Sequence, residues 1–497
     1  MVSRFSTILK PMKSVTTFVT LVPLLLISGC SLFGGDKAQA PMELLDISER
    51  IAVDKLWAID TGSPKGDERI GDLSLTLITD AELNSLIGSE ASGSSSEDAS
   101  IAGLVSADRK GRLMIWQFPQ AEEGGSSAVN YEKGPARLVF KETRQALLAG
   151  PSVAAGRLLI LTESAELVAL AGPDLSERWR ASLSSESTAK PGSNESLVAV
   201  RTVDGALDVF KLEDGSSAWD YRHELPALTL RSIASPLLTD TQIFAGFETG
   251  HLRAMNLSDG SVVWQARVAQ PKGRTDLERV VDVDTPAIID GGSVYTAAYQ
   301  GNIVAIDRAQ GRLQWRFPFS TAKAIDVVDG QLAAVGASGE VVLLDAYTGS
   351  LLWRNEDLLR RGLGSPKLLD EHVAVVDAKG FLHLLDLASG EIVGRRGITS
   401  ASVNARVLRL EDGVLLVDTG RASVLGLRLR AIKAAELPAD DENASENQGD
   451  EIELDFGMGT SQLDALGMPI LDADPNTDSE SETEVDSESD EPEPTEE

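Results

Sequence analysis

One cysteine, Cys30, stands in 497 residues. A disulfide within the chain is therefore impossible, and so is a metal site built on several thiolates. Only four histidines occur, His223, His251, His372 and His383. They are scattered and suggest neither a zinc site nor a catalytic pair. No G-x-S-x-G elbow and no phosphate-binding P-loop occurs. Basic residues vanish after Lys433: of 77 acidic residues 23 lie beyond it, which leaves 54 against 45 bases upstream. A chain of net charge −32 lacks the basic footprint that nucleic acid demands. Apolar runs are short, apart from residues 15–27.

What the sequence does have is a repeat. Residues 301–315 read G-N-I-V-A-I-D-R-A-Q-G-R-L-Q-W. Ile303, Ala305 and Asp307 alternate with Val304 and Ile306, which is the period of a strand. Residues 308–311 form a polar turn ending in glycine, and Leu313 and Trp315 alternate on the returning strand. The frame recurs at 205–219, 250–264 and 339–353. A degraded copy ends at Trp179, and the copy at 380–394 has Gly394 where tryptophan is expected. The tryptophans at 179, 219, 264, 315 and 353 mark a period of roughly 40–50 residues with four short strands, the pattern of a β-propeller blade. Several units open after a proline, Pro151, Pro236, Pro286 or Pro366, as a strand's first residues tolerate.

The count predicts an all-β, eight-bladed propeller of four-stranded antiparallel blades over residues 49–433. The first unit spans 73–79 and 102–118, and the last, 403–430, lacks an outer strand. The segment 55–61, K-L-W-A-I-D-T, is a spare outer strand with its own tryptophan. It is expected to complete the eighth blade and close the ring. The repeat tryptophans are expected to pack between neighbouring blades. Residues 81–100 and 122–133 are read as surface loop insertions.

The two ends lie outside the propeller. Arg4, Lys10 and Lys13 precede the apolar run, which is too short for a stable membrane span and fits a signal peptide over residues 1–29. The run ends L-I-S-G-C, which resembles the lipobox of bacterial lipoproteins, whose cysteine is acylated. Cys30 is the expected lipidation site, and residues 30–48 the lipidated tether. Ser31, rather than aspartate, favours the outer membrane by that resemblance. Residues 434–497 are too acidic and too poor in large apolar side chains to fold alone and are expected to be a disordered tail. Within it residues 452–471 hold Phe456, Met458, Leu463 and Met468 and are read as part of the same solvated tail, with docking on a partner or on the body as the alternative.

The units resemble quinoprotein (PQQ-type) repeats, and with the lipobox they resemble the BamB family of outer-membrane assembly lipoproteins over residues 26–430. Two stretches sharpen the likeness. L-P-A-L-T-L-R-S at 225–232 resembles that family's segment before its fourth blade, and V-V-D-V-D-T-P at 280–286 the segment before its fifth. The resemblance implies that Leu228, Leu230, Arg231, Asp282 and Asp284 meet the periplasmic domains of BamA. It also implies the other Bam subunits as partners, an outer-membrane lipid anchor facing the periplasm, and a role in assembly and insertion of outer-membrane proteins. The position of the two segments agrees, since loops before adjacent blades emerge on one face. Exposed leucines beside an arginine suit a protein interface. The same groups also suit a brace in which Arg231 pairs with Asp282 or Asp284.

The rival reading is a quinone-dependent dehydrogenase. Such chemistry needs a cofactor pocket with carboxylate and amide metal ligands, and often a vicinal cysteine pair. The single cysteine excludes the pair, and Asp307, Asp345 and Asp386 belong to repeat turns. A periplasmic propeller adaptor of another kind is a third reading. The expectation is a scaffold with no catalytic residues, no cofactor, no metal and no small-molecule substrate.

Overall fold

The computed structural model describes residues 40–61, 75–88, 100–121, 129–230, 234–400, 405–420 and 423–432. They form eight four-stranded antiparallel sheets, the blades of a propeller. Blade 1 runs from the inner strand Thr76–Thr79 through Ile101–Ala107 and Arg112–Gln117 to the outer strand Ala136–Glu142. Blades 2 to 7 end at the outer strands Ser176–Ser182, Ser217–Arg222, Val262–Arg267, Leu313–Pro318, Leu351–Asn355 and Ile392–Gly397. Blade 8 takes Arg406–Arg409, Val414–Asp418 and Ser423–Ala431 from the end of the body, and its outer strand from the start, Ile51–Asp60. The spare strand therefore closes the ring as expected, in a longer form than 55–61. Its register runs from Ile51 opposite Ala431 to Asp60 opposite Ser423, with a bulge between Lys55 and Trp57.

Adjacent blades are joined by one recurring contact. Trp264, on the outer strand of blade 4, lies on the last turn of blade 5. Its indole N–H donates to the Arg308 carbonyl at 3.0 Å. Gly311 lies beneath the ring with φ +70°, where a Cβ would come within 2.5 Å of Trp264 Cγ. Only glycine combines that backbone with that approach. Trp179 meets Gly215, Trp219 meets Gly260, Trp315 meets Gly349 and Trp353 meets Gly390 in the same way. Each indole donates to the carbonyl three residues before its glycine, at 2.8–2.9 Å. Trp57 repeats the contact across the closure, with its N–H 2.9 Å from the Tyr131 carbonyl and its ring against Gly134. An aromatic side chain buries ~150–250 Å². At about 25 cal/mol per Å² each such seam gains about 4–6 kcal/mol before side-chain entropy is charged.

Two insertions differ from their expected form. Within 81–100, residues Asp80–Ile87 are a helix, with Thr79 and Glu82 forming a reciprocal capping box and Gly88 a left-handed cap. The apolar pair Leu83 and Leu86, three apart, drives it into the core between blades 1 and 2, beside Leu158, Ile160 and Leu175. Within 122–133, residues 122–128 lie outside the described residues. Tyr131, however, is buried, packs edge-on against Phe118 and donates to the Ile101 carbonyl.

Residues 40–50, mostly from the stretch read as a tether, lie on blades 6 and 7. Arg361 Nη1 donates to the Met42 carbonyl at 2.8 Å, Arg395 Nη1 to the Leu45 carbonyl at 2.9 Å, and the Arg50 N–H to Val393. Leu44 and Ile47 pack against the core beneath. The signal peptide, Cys30 and the acidic tail with its 452–471 island lie outside the described residues.

The tryptophan seam makes a paired prediction. Gly260→Ala adds a Cβ 2.5 Å from the Trp219 ring at φ +71°, whereas Gly413→Ala, at φ +69°, meets nothing within 4 Å. The second change costs only the left-handed backbone, about 1–2 kcal/mol. The first adds overpacking of roughly 1–3 kcal/mol. Denaturant midpoints should rank Gly260→Ala clearly below Gly413→Ala; equal losses would show that the indole yields freely.

Candidate partner-binding surface

The loops from one blade's outer strand to the next blade's inner strand share a face with the turns joining second and third strands. Two of these loops, after Ser217–Arg222 and after Val262–Arg267, carry the predicted site. On the first, Leu225, Leu228 and Leu230 are 38, 45 and 40 % exposed, and on the second Leu277 is 70 % exposed. Leu277 sits in a compact turn in which the Glu278 carboxylate accepts the Arg274 and Thr275 N–H groups. The two loops touch: the Leu230 N–H donates to Asp282 Oδ2 at 2.6 Å. Leu228, Leu230, Asp282 and Asp284 thus belong to one region. Arg231 lies outside the described residues.

The expected rim position of both aspartates is corrected. Asp282 and Asp284 are 1 % and 8 % exposed and lie under the leucines, with Val280, Val281 and Val283 buried around them. Two glycines of blade 4 make this possible. A Cβ on Gly246 would strike Val283, and one on Gly250 would strike the Ala269 carbonyl, so the segment lies flush on bare backbone. The aspartates reach a partner only through the loop that Asp282 holds.

Beneath the loops is a polar network that the sequence did not mark. Arg201, at the end of an apolar strand of blade 3, is fully buried and forks onto Glu248 of blade 4 at 2.8 and 2.9 Å. Its other amino group donates to the Gly205 and Ala206 carbonyls. The guanidinium stacks on Phe247 at 4.2 Å, with Arg253 4.5 Å from the same ring. His223 lies 3.2 Å from Glu248 and edge-on to Phe247. Burial opposes the Glu248 charge, but His223 and Arg201 outweigh it and hold the carboxyl below its usual range. The aspartates fare differently. Burial pushes Asp282 up to about 6, although the Leu230 N–H favours its charged form. Burial, then the charges of Asp282 and Glu248, push Asp284 up to about 8 against the pull of Arg201. One oxygen of each is buried with no hydrogen-bond partner.

Both carboxyls therefore bind their proton more tightly folded than unfolded. Their contribution to stability is complete below the unfolded value near 4, and is lost as pH rises through about 6 for Asp282 and about 8 for Asp284. Asp284→Asn keeps the shape without the charge. At roughly 1.4 kcal/mol per pKa unit it should be a few kcal/mol more stable than the parent at pH 8.5. At pH 4 it should gain almost nothing. Denaturant midpoints at the two pH values check this, and an equal gain at both would contradict it.

The sequence model of the family described as "Outer membrane protein assembly factor BamB" matches residues 102–355 and 337–448. A relative of that name in Xanthomonas campestris pv. campestris is 30 % identical over 414 residues, covering 81 % of this chain and 95 % of the relative. The crystal structure of BamB from Moraxella catarrhalis superposes with a TM-score of 0.61 at 22 % identity, over 76 % of this chain and all of that one. The quinohemoprotein alcohol dehydrogenase of Comamonas testosteroni superposes at 0.53 with 10 % identity, over 76 % of each chain, and shares the propeller fold alone. A likeness at 10 % carries no chemistry across, whereas a family match over most of the body does carry descent. The chain belongs to the outer-membrane protein assembly factor BamB family.

Proposed function

We propose that this protein is a non-enzymatic scaffold of the outer-membrane β-barrel assembly machinery, which binds the periplasmic domains of BamA alongside the other Bam subunits. The observation that carries the reading is the set of leucines on two adjoining loops, exposed at their tips and fastened from below. Apolar anchors on a pre-ordered loop suit the centre of a protein interface. Leu228 and Leu230 are the proposed contacts, with Arg231 beside them, while Asp282 and Asp284 support the loop. Acylated Cys30 anchors the protein to the outer membrane, facing the periplasm. No helix among the described residues is long and apolar enough to cross a membrane. One acyl chain binds a bilayer only marginally and several hold stably. Nor is there a group of three or more His, Cys, Asp or Glu side chains able to hold a metal among the described residues.

The Leu228→Ala/Leu230→Ala double variant should lose about 2 kcal/mol or more of affinity for the BamA periplasmic domains. Its melting temperature should stay near that of the parent, because both side chains are half in solvent already. Arg231→Ala separates interface from brace: an interface residue lowers affinity first, a brace lowers stability first. Well-folded variants that bind as the parent does would sink the reading. Cys30→Ser should leave the membrane fraction or remain unprocessed; mature protein still sedimenting with outer membrane would show that the anchor lies elsewhere.

A further inference from the structure

A cavity of about 470 Å³ opens on the leucine-bearing face, at the loops between blades 5 and 6 and between blades 6 and 7 that follow the second leucine loop. Its walls come from four neighbouring segments: Tyr299 on a turn of blade 5, Gly336 to Gly339 on the matching turn of blade 6, and the two loops holding Lys323 and Arg360. Its chemistry is one-sided. Two cations line it and no carboxylate does.

Lys323 is the informative residue. Its backbone is pinned on both sides, since its N–H donates to Thr321 Oγ1 and its carbonyl accepts from Thr285 Oγ1. Its ammonium, half removed from water, has no carboxylate partner among the described residues. Burial lowers its pKa, and the charge of another cation, Arg406 of blade 8, lowers it further. An ammonium so placed is uncompensated. Arg360 repeats the pattern. It donates through Nε to the Ala40 carbonyl at 2.9 Å, and its amino groups have no carboxylate partner among the described residues. It holds φ +59°, a left-handed conformation that a non-glycine residue keeps only where its surroundings enforce it. Tyr299, Ala322, Ala337 and Leu363 supply an apolar remainder, and the Glu340 carboxylate lies against Gly336 on the same turn, where it accepts from the Ser338 hydroxyl. A pocket of this size, mostly small and apolar with two cations among its lining residues, has the make-up of a small-ligand site.

We propose that this cavity is an oxyanion site, in which Lys323 and Arg360 take a carboxylate or phosphate group carried on a small apolar body. Arginine offers its planar fork and lysine a point charge, and both favour an oxyanion over a neutral ligand. The site stands independently of the leucine loops and of the BamA reading.

The test uses the full mature chain in detergent and three probes. Benzoate carries the charge and the body, inorganic phosphate the charge alone, and benzamide the body alone. Acetic anhydride at neutral pH, read by mass spectrometry, reports on individual lysines, and Lys323 should react readily because its pKa is depressed. Benzoate or phosphate should protect Lys323 saturably and leave exposed Lys379 unprotected, while benzamide protects neither. Stronger protection by benzoate identifies a carboxylate ligand with an apolar body, and stronger protection by phosphate a phosphate ligand. Lys323→Met and Arg360→Met should each weaken binding about tenfold or more in calorimetric titration. Lys323→Met removes an unpaired charge and should melt no lower than the parent. If a variant fails to fold, the labelling of the parent chain still decides. Protection by benzamide equal to that by benzoate, protection of all lysines alike, or no protection would overturn the proposal.

Discussion

The propeller depends on one contact, a tryptophan laid on a glycine of the next blade. The two residues are inseparable physically. The indole needs a floor without a side chain, and a positive-φ glycine supplies it while also turning the chain between the last two strands. The indole N–H, costly to bury unpaired, finds the carbonyl that the same turn exposes. One local arrangement thus satisfies packing, turn geometry and hydrogen bonding together. It occurs in full at five junctions among the described residues, where Trp179, Trp219, Trp264, Trp315 and Trp353 serve blades 2 to 7; Trp57 joins blade 8 to blade 1 with the same hydrogen bond, over Gly134, whose backbone is not left-handed.

The two junctions without it explain the irregular repeats. Between blades 7 and 8 no such floor can exist, because the outer strand of blade 8 comes from the other end of the chain and no turn leads into it. The tryptophan position is accordingly Gly394, and Ile51 fills the space: a Cβ on Gly394 would lie 2.7 Å from the Ile51 carbonyl. Between blades 1 and 2 the tryptophan position is Val139, opposite Ile115 before the bulge, and the turn that elsewhere holds glycine holds Leu175 at φ +51°. Without an indole above it, that position can carry a side chain. Leu175 points into the junction, where the helix Asp80–Ile87 adds Leu83 and Leu86. The Leu86 carbonyl accepts the Gly172 N–H at 2.8 Å, so the helix is fastened to the same turn that an indole would have capped.

These particulars show what the sequence carried. Tryptophan spacing reports the blades because the seam is a property of single residues at fixed offsets. The closing strand was legible for the same reason, since Trp57 came without a blade of its own. Its first residues, 51–54, were not, because I-A-V-D alternates too briefly to mark a boundary. The helix hid in a polar insertion: eight residues give two turns, and only Thr79, Glu82 and the pair Leu83 and Leu86 betray it. At the candidate site, V-V-D-V-D gives the period of a half-exposed strand and so suggests aspartates in solvent. Whether such a segment lies on a rim or beneath it depends on Gly246 and Gly250, more than thirty residues earlier in the chain. That is a tertiary fact with no local signature, as is the meeting of Arg201 with Glu248.

The burial of those aspartates bears on how the leucines work. An exposed leucine gains by turning inward, and Leu225 shows the route, its side chain 3.0 Å from where a Cβ on Gly205 would be. Leu228 and Leu230 stay out only if their backbone is held. The Leu230 N–H is held by Asp282, a carboxylate fixed among buried valines beside the buried Arg201–Glu248 pair, whose charges act on it. Two buried carboxylates, a third carboxyl that keeps its proton up to about pH 8 and one fully buried arginine are a poor way to stabilise a fold, because desolvation offsets most of what the charges gain. They are a good way to fix a loop, because a hydrogen bond to a rigid charged group has little freedom of direction. A loop already ordered does not lose that entropy again when a partner arrives. The network thus opposes stability in the blades and favours rigidity at the rim, and the tryptophan seams on either side supply the stability it costs.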